Sequence, residues 1–364
     1  VKWFLEMCCV LLCFAVGTAS AEDGVVHVYN WSDYIAEDTL SRFTEATGIK
    51  VVYDVYDANE TLEAKLFAGH TGYDVVFPSA HPFAGRHIAS NLYAPLDKKQ
   101  LANLSHVDTN ILHVLQKMDT DNAHLVPYMW GTTGIGYNVD KVKAVLAEKA
   151  PVNSWELLFN PDYAAKLAEC GIALLDDEQE VFAAALLYLG KDANTERTED
   201  IEAATELLKT IRPYVRYFHS SQYINDLANG DICVAHGYSG DVLQARDRAD
   251  EAGQGVHVAY SIPKQGAVMW VDVMAIPADA PHSREAHAFI NYLLSPEVIA
   301  EISNYVAYAN ANKDATPLLD AEIREDGSIY PSPEVMERLV VPVEIGRKTQ
   351  RLKTRSWTRI KTGH

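Results

Sequence analysis

Residues 27–35, HVYNWSDYI, form the turn on which the reading of the whole chain depends. The stretch opens as a strand, because VVHVYN (25–30) is rich in β-branched and aromatic residues. A helical pattern takes over in AEDTLSRFTEATG (36–48), where Leu40, Phe43 and Thr47 fall three and four apart and Gly48 supplies a stop. WSDY therefore sits at the carboxyl end of a first strand. Two readings are open there. Ser32 or Asp33 could cap the following helix while Trp31 packs into a core. Alternatively, an indole, a hydroxyl, a carboxylate and a phenol on one turn could face a ligand.

The same alternation continues outward. KVVYDVY (50–56) reads as a strand, NETLEAKLFAG (59–69) as a helix, and YDVVFPSA (73–80) as a short buried strand. Further on, EVFAAALLYLG (180–190) and DIEAATELLKTI (200–211) are helical, and GDICVAHGYSGDVLQARDRADEA (230–252) reads as strand, turn, helix. HVAYSIP (257–263) and VMWVDVMAIPA (268–278) are strands, followed by helices in EAHAFINYLLS (285–295) and PEVIAEISNYV (296–306). Alternating strands and helices predict an α/β protein with mostly parallel sheets. Ligands of such sheets sit beyond the carboxyl ends of the strands. The segments NWSDY, PSA, HGYSGD and WVD all fall at or near such ends.

The 364 residues carry 31 basic and 50 acidic side chains, a formal charge of −19. That balance disfavours nucleic acid and anionic membranes and favours a cationic ligand. The basic tail RKTQRLKTRSWTRIKTG (347–363) reads as a solvated helix face. Residues 1–21 read as a cleaved export signal, with Lys2, the apolar run MCCVLLCFAV and the small-x-small site ASA (19–21). A buried amino-terminal strand is the other reading of that segment. Three of the five cysteines fall within it. The remaining two, Cys170 and Cys233, most simply pair as a disulfide in an exported protein, two buried thiols being the alternative.

Signatures of catalysis are missing. GTTGIG (131–136) has neither the order of a dinucleotide fingerprint nor that of a P-loop, and reads as tight backbone at a domain crossing. GYSG (237–240) is one residue short of a nucleophile elbow. No H-E-x-x-H pair occurs among the 13 histidines, and His81 and His87 read as surface loop groups. No metal site and no cofactor are expected. What remains is acidic and aromatic. Asp33 follows Trp31, Asp241 follows Tyr238, Asp272 follows Trp270, and Glu180 opens a helix. Glu180 and Asp241 could be no more than first-turn acids favoured by the helix dipole. Taken together, aromatic walls that attract a cation and carboxylates that receive its hydrogens suit a thin alkyl polycation.

At this point the chain resembles the periplasmic polyamine-binding proteins of ABC transporters. The matching stretches include YNWSDYI, ANETLEAKL, GYDVVFPSA, VPYMWGTTGIGYN, FHSSQYINDLANGDICVA, GYSGDV, NYLLSPEVIA, YANAN and RSWTRIKTG, spread over Val25 to Gly363. The resemblance implies a type II periplasmic binding protein whose two lobes, each a mostly parallel sheet flanked by helices, close on a ligand between them. It implies one lobe of residues 24–127 and 263–306 and another of 130–260 and 309–364. It implies a ligand site of Trp31, Ser32, Asp33, Tyr34 and Ser79 from the first lobe, Glu180, Tyr238 and Asp241 from the second, Trp270 and Asp272 from a returning segment, and Tyr308 near the hinge. By the same resemblance Asp241 and Asp272 hold one ammonium and Asp33 and Glu180 serve the distal half. Tyr238 with Trp270 looks like the spermidine-preferring branch, with putrescine preference or a polyamine-sensing role as alternatives. The expected protein is a periplasmic monomer that hands its ligand to an ABC permease. An enzyme acting on polyamines and a binding protein for another small solute are the rival readings.

Overall fold

The computed structural model describes residues 24–147 and 150–363. The expected export signal lies outside the described residues. Eleven strands are formed in chain order: β1 (Val25–Trp31), β2 (Lys50–Tyr56), β3 (Val75–Val76), β4 (Val126–Asn138), β5 (Ile172–Leu174), β6 (Tyr217–Phe218), β7 (Val234–Tyr238), β8 (Val258–Ser261), β9 (Ala267–Met274), β10 (Ala309–Asn310) and β11 (Leu339–Val340). Among the described residues they make two sheets.

The first sheet is wholly parallel, in the order β2-β1-β3. Its register follows from β1, where Val26 and Val28 are fully buried. The second sheet runs β11-β9-β4-β7-β5-β6, with β8 and β10 also on β4. Its β6-β5-β7 part is parallel, as α/β alternation predicts. The long strand β4 is different, because it runs antiparallel to β7, β8, β9 and β10. The reason is topological. β4, β9 and β10 are not part of a strand-helix-strand repeat; they carry the chain from one sheet to the other. β9 pairs with β4 along most of its length, and Ser79↔Asp272 and Val76↔Ala275 bridges tie its far end to the first sheet.

GTTGIG lies within the strand β4. Its glycines are needed for close approach: a Cβ on Gly131 would lie 2.7 Å from the Trp270 ring. Cys170 and Cys233 form the expected disulfide, with Cα atoms 5.5 Å apart, and tie the start of β7 to the segment before β5. The basic tail is the helix Arg347–Thr362; it presents a solvated face and buries Lys353, Trp357 and Ile360 on the other. Among the described residues no helix is long and apolar enough to cross a membrane.

Candidate functional site

A cavity lies where the carboxyl ends of the parallel strands converge. Trp31, Ser32 and Tyr34 reach it from the end of β1, Tyr56 and Asp57 from the end of β2, and Ser79 from beyond β3. From the other sheet come Asp177 and Glu180 after β5, Ser220 and Ser221 after β6, and Tyr238 and Asp241 after β7. Trp270, Asp272 and Tyr308 enter from the strands that cross between the sheets or from beside them. Backbone geometry alone puts these side chains together, since parallel strands aim the loops that follow them to one side.

The carboxylates sit among aromatic rings. Trp270 packs edge-on to Tyr238 at 5.8 Å and to Tyr308 at 5.2 Å between centroids. Tyr34 meets Tyr308 at 5.2 Å, and Trp31 meets Tyr56 at 4.6 Å. Trp31 is held by a bond from its indole N–H to the Phe77 carbonyl at 2.7 Å. Gly240 allows Tyr308 to press on the first turn of the helix Ser239–Ala252, because a Cβ there would stand 2.5 Å from the ring.

Asp241 is fixed by two phenols. Tyr223 donates to its Oδ2 at 2.7 Å and Tyr308 donates to its Oδ1 at 2.7 Å. The Tyr308 oxygen also accepts the Asp241 amide at 3.1 Å. Asp272 accepts the Ser79 hydroxyl at 2.7 Å, and Asn59 donates to that hydroxyl in turn at 3.1 Å. Burial pushes Asp241 up to about 7, against the hydrogen bonds from Tyr223 and Tyr308. Burial likewise pushes Asp272 up to about 7, against the hydroxyls of Ser79 and Tyr34.

Glu180 lies in the first turn of the helix Glu178–Tyr188, which Asp177 caps by accepting the amides of Gln179 at 2.9 Å and Glu180 at 3.0 Å. Burial, and then the charge of Asp177, hold Glu180 well above the usual carboxylate range. Its Oε2 is buried without a hydrogen-bond partner, and so is the indole N–H of Trp270. A cavity with several acids, one of them under-satisfied, can accept N–H donors and positive charge.

Ten of the eleven expected ligand-site residues line this cavity; Asp33 does not. Asp33 takes a left-handed backbone conformation, φ 54°, and its carboxylate pairs with Arg248 at 2.7 Å outside the cavity. The capping alternative fails as well, because the helix Thr39–Thr47 is preceded by Asp38 and has no side-chain cap bond. Ser32 instead donates its amide to the Tyr56 carbonyl at 3.0 Å. The reading of His81 and His87 as surface groups is also corrected. His81 lines the cavity, with its pKa lowered by burial and by Lys117, and His87 is fully buried with Nδ1 2.7 Å from the Tyr93 hydroxyl.

Tyr56, Asp57, Asn59, Phe83, Asp177 and Gln179 were not singled out from sequence. Asp57 and Asn59 directly follow a strand, so their position after β2 was the available signal. Asp177 carries the general mark of an N-cap, which gives no hint of a cavity.

Comparison with known proteins gives the same answer as the geometry. The chain is 54% identical to the putrescine-binding periplasmic protein PotF of Escherichia coli strain K12 over 364 residues, 100% of this chain and 98% of that protein. It is 54% identical to the putrescine-binding periplasmic protein SpuD of Pseudomonas aeruginosa strain UCBPP-PA14 over 348 residues, 95% of each chain. A spermidine/putrescine-binding periplasmic protein of Escherichia coli strain K12 is 34% identical over 328 residues, 90% of this chain and 89% of that one. Among solved structures, the spermidine/putrescine ABC transporter substrate-binding protein PotD of Streptococcus pneumoniae superposes with a TM-score of 0.74 at 28% identity, covering 93% of this chain and 99% of that one. The bacterial extracellular solute-binding protein family matches residues 39–330. The chain belongs to that family, and within it to the polyamine-binding proteins of ABC transporters; it is a binding protein and not an enzyme.

Proposed function

We propose that this solute-binding protein captures a diamine, putrescine, in the periplasm and delivers it to an ABC permease, working as a monomer. The observation that carries the proposal is a buried, aromatic-walled cavity in which Asp241 and Asp272 stand together while Glu180 and Asp177 make a second acidic group. An alkyl chain with an ammonium at each end matches such a cavity: each end finds a carboxylate, and the methylenes lie against rings. The choice of putrescine over spermidine is supported by the two relatives at 54% identity, both named for putrescine, against 34% for the spermidine/putrescine-binding ones. The spermidine preference implied by Tyr238 with Trp270 is therefore given up.

In this reading residues 24–127 with 263–306 and residues 130–260 with 309–364 are the two jaws. Trp31, Ser32, Tyr34, Ser79, Glu180, Tyr238, Asp241, Trp270, Asp272 and Tyr308 contact the ligand. The crossing strands β4, β9 and β10 act as the hinge, which suits closure of lobes around a solute.

The test is calorimetric titration of ligand-stripped protein with putrescine, cadaverine, spermidine and spermine in parallel. Putrescine should bind one to one and most tightly. Spermidine binding tenfold more tightly than putrescine would restore the earlier preference and keep the class. No binding of any polyamine by folded protein would end the proposal.

A further inference from the structure

A second group of ligating side chains stands apart from the cavity. His27 lies in β1, Asp74 immediately before β3, and His282 immediately before the helix Ser283–Leu293. None of the three lines the cavity. Asp74 is fully buried and its carboxylate is fixed by main chain: Oδ2 accepts the His27 amide at 2.8 Å and Oδ1 accepts the His282 amide at 2.7 Å. Two imidazoles then bring the same nitrogen to the same oxygen. His27 Nδ1 is 3.3 Å and His282 Nδ1 is 3.0 Å from Asp74 Oδ2. The rings stack with centroids 5.5 Å apart, and each is about one-third exposed, at 31% and 34%.

Hydrogen bonding is one account of this arrangement: Oδ2 accepts the His27 amide and would also serve each imidazole whose Nδ1 carries the proton. Metal coordination is a second account, and the spacing fits it. Bonds of about 2.0–2.2 Å to a zinc-like cation set neighbouring ligand atoms roughly 2.8–3.6 Å apart in octahedral or tetrahedral geometry. Both nitrogen–oxygen separations fall in that band, and the ligand atoms of all three residues lie within 4.8 Å of one another. Two imidazoles with one carboxylate suit zinc and its transition-metal neighbours; calcium and magnesium prefer oxygen. The two amides that orient Asp74 provide the outer support that metal-ligating carboxylates ordinarily have. Among the described residues this is the one group of three or more such side chains. Other histidine–carboxylate contacts, His106–Asp314 and His257–Asp140, offer two ligands each.

We propose that His27, Asp74 and His282 bind a divalent transition-metal cation of the zinc type, with water completing the coordination on the exposed side. The cation would cross-link three segments of one lobe that are 47 and 208 residues apart in sequence. Sequence motifs could not reveal it, because no two of its ligands are neighbours along the chain.

Chelator-treated protein titrated with zinc chloride at pH 7.5 tests the proposal, with and without saturating putrescine so that the acidic cavity is controlled for. One zinc should bind per chain in both conditions. The His27→Ala/His282→Ala pair should weaken it at least about tenfold, and polyamine titration should be unaltered. If that variant does not fold, His27→Gln/His282→Gln, which keeps a donor near Asp74, replaces it. In unsubstituted protein zinc should also protect His27 and His282 from acylation by diethylpyrocarbonate, read by peptide mapping. Zinc affinity unchanged in a folded variant, no zinc binding, or no protection of these two histidines overturns the proposal.

Discussion

Two acidic walls of the cavity differ in how their charges are held. At one, Asp241 receives two phenolic hydroxyls and Asp272 receives a serine hydroxyl, each at 2.7 Å. At the other, Glu180 keeps a buried carboxyl oxygen with no partner, beside the raised Asp177. The first wall is held in place by hydroxyl donors before any ligand arrives. The second gains most of its hydrogen bonding from whatever binds. One end of a diamine is thus met by two acids already fixed by hydroxyl donors, and the other by acids that burial raises and that keep a buried oxygen without a partner.

This contrast predicts the largest loss at the prepared wall. Asp241→Asn should weaken putrescine binding by about 30-fold to a few thousand-fold, the range that follows from about 2–5 kcal/mol for a buried ammonium deprived of one partner. Calorimetry of the folded variant measures it. A loss under threefold would remove Asp241 from the ligand and erase the difference between the walls.

Acidification should come next. Asp241 and Asp272 are raised to about 7 in the ligand-free protein, and a bound ammonium lowers them, so binding near neutrality releases protons. Affinity should therefore fall as pH drops through 7, by about 25-fold from pH 7.5 to 5.5 if a single group of that pKa controls it. Stability of the ligand-free protein moves the other way. These acids bind more protons folded than unfolded between about 4 and 7, so their contribution to stability is greatest at low pH and is lost as pH rises through 7. The unfolding temperature without ligand should rise on acidification from pH 8 to 5.5 while affinity falls. Parallel movement of the two would contradict the assignment.

Glu180→Gln should cost less, about tenfold. Burial and then the charge of Asp177 hold its carboxyl well above the usual carboxylate range, so ionising it to receive an ammonium offsets part of what a charged hydrogen bond contributes, about 1.5–3 kcal/mol. A loss larger than that of Asp241→Asn would reverse the ranking of the two walls.

The sequence exposed most of the first wall and little of the second. Asp241 stands three residues after Tyr238 at the end of β7, and Asp272 two residues after Trp270 within β9, so each acid lies close to an aromatic residue in the sequence. Asp177, Asp57 and Asn59 were hidden because an N-cap or turn residue looks alike whether it faces solvent or a cavity. The antiparallel run of β4 was hidden for a related reason: strand content can be read from composition, but pairing direction depends on which lobe the chain is leaving. Asp33 misled because a carboxylate on a turn points wherever the backbone sends it, and here a φ of 54° turns it outward.

That outward turn gives the smallest expected effect. Asp33 and Arg248 pair at 2.7 Å with 39% and 34% of their side chains exposed. Their segments, the turn after β1 and the helix Ser239–Ala252, belong to opposite jaws in the proposed arrangement, and Gln244 of the same helix donates to the Asp33 carbonyl at 3.3 Å. In that arrangement the pair forms when the jaws are together. Because solvent screens it, it is worth about 0.2–1 kcal/mol, which limits its leverage on affinity to roughly fivefold at most. Arg248→Ala should weaken putrescine binding by no more than that and should speed dissociation more than it slows association. Stopped-flow kinetics at low and high salt separate the two rates, and the difference from the unsubstituted protein should shrink with salt. A loss as large as that of Asp241→Asn would mean that Asp33 acts on the ligand after all.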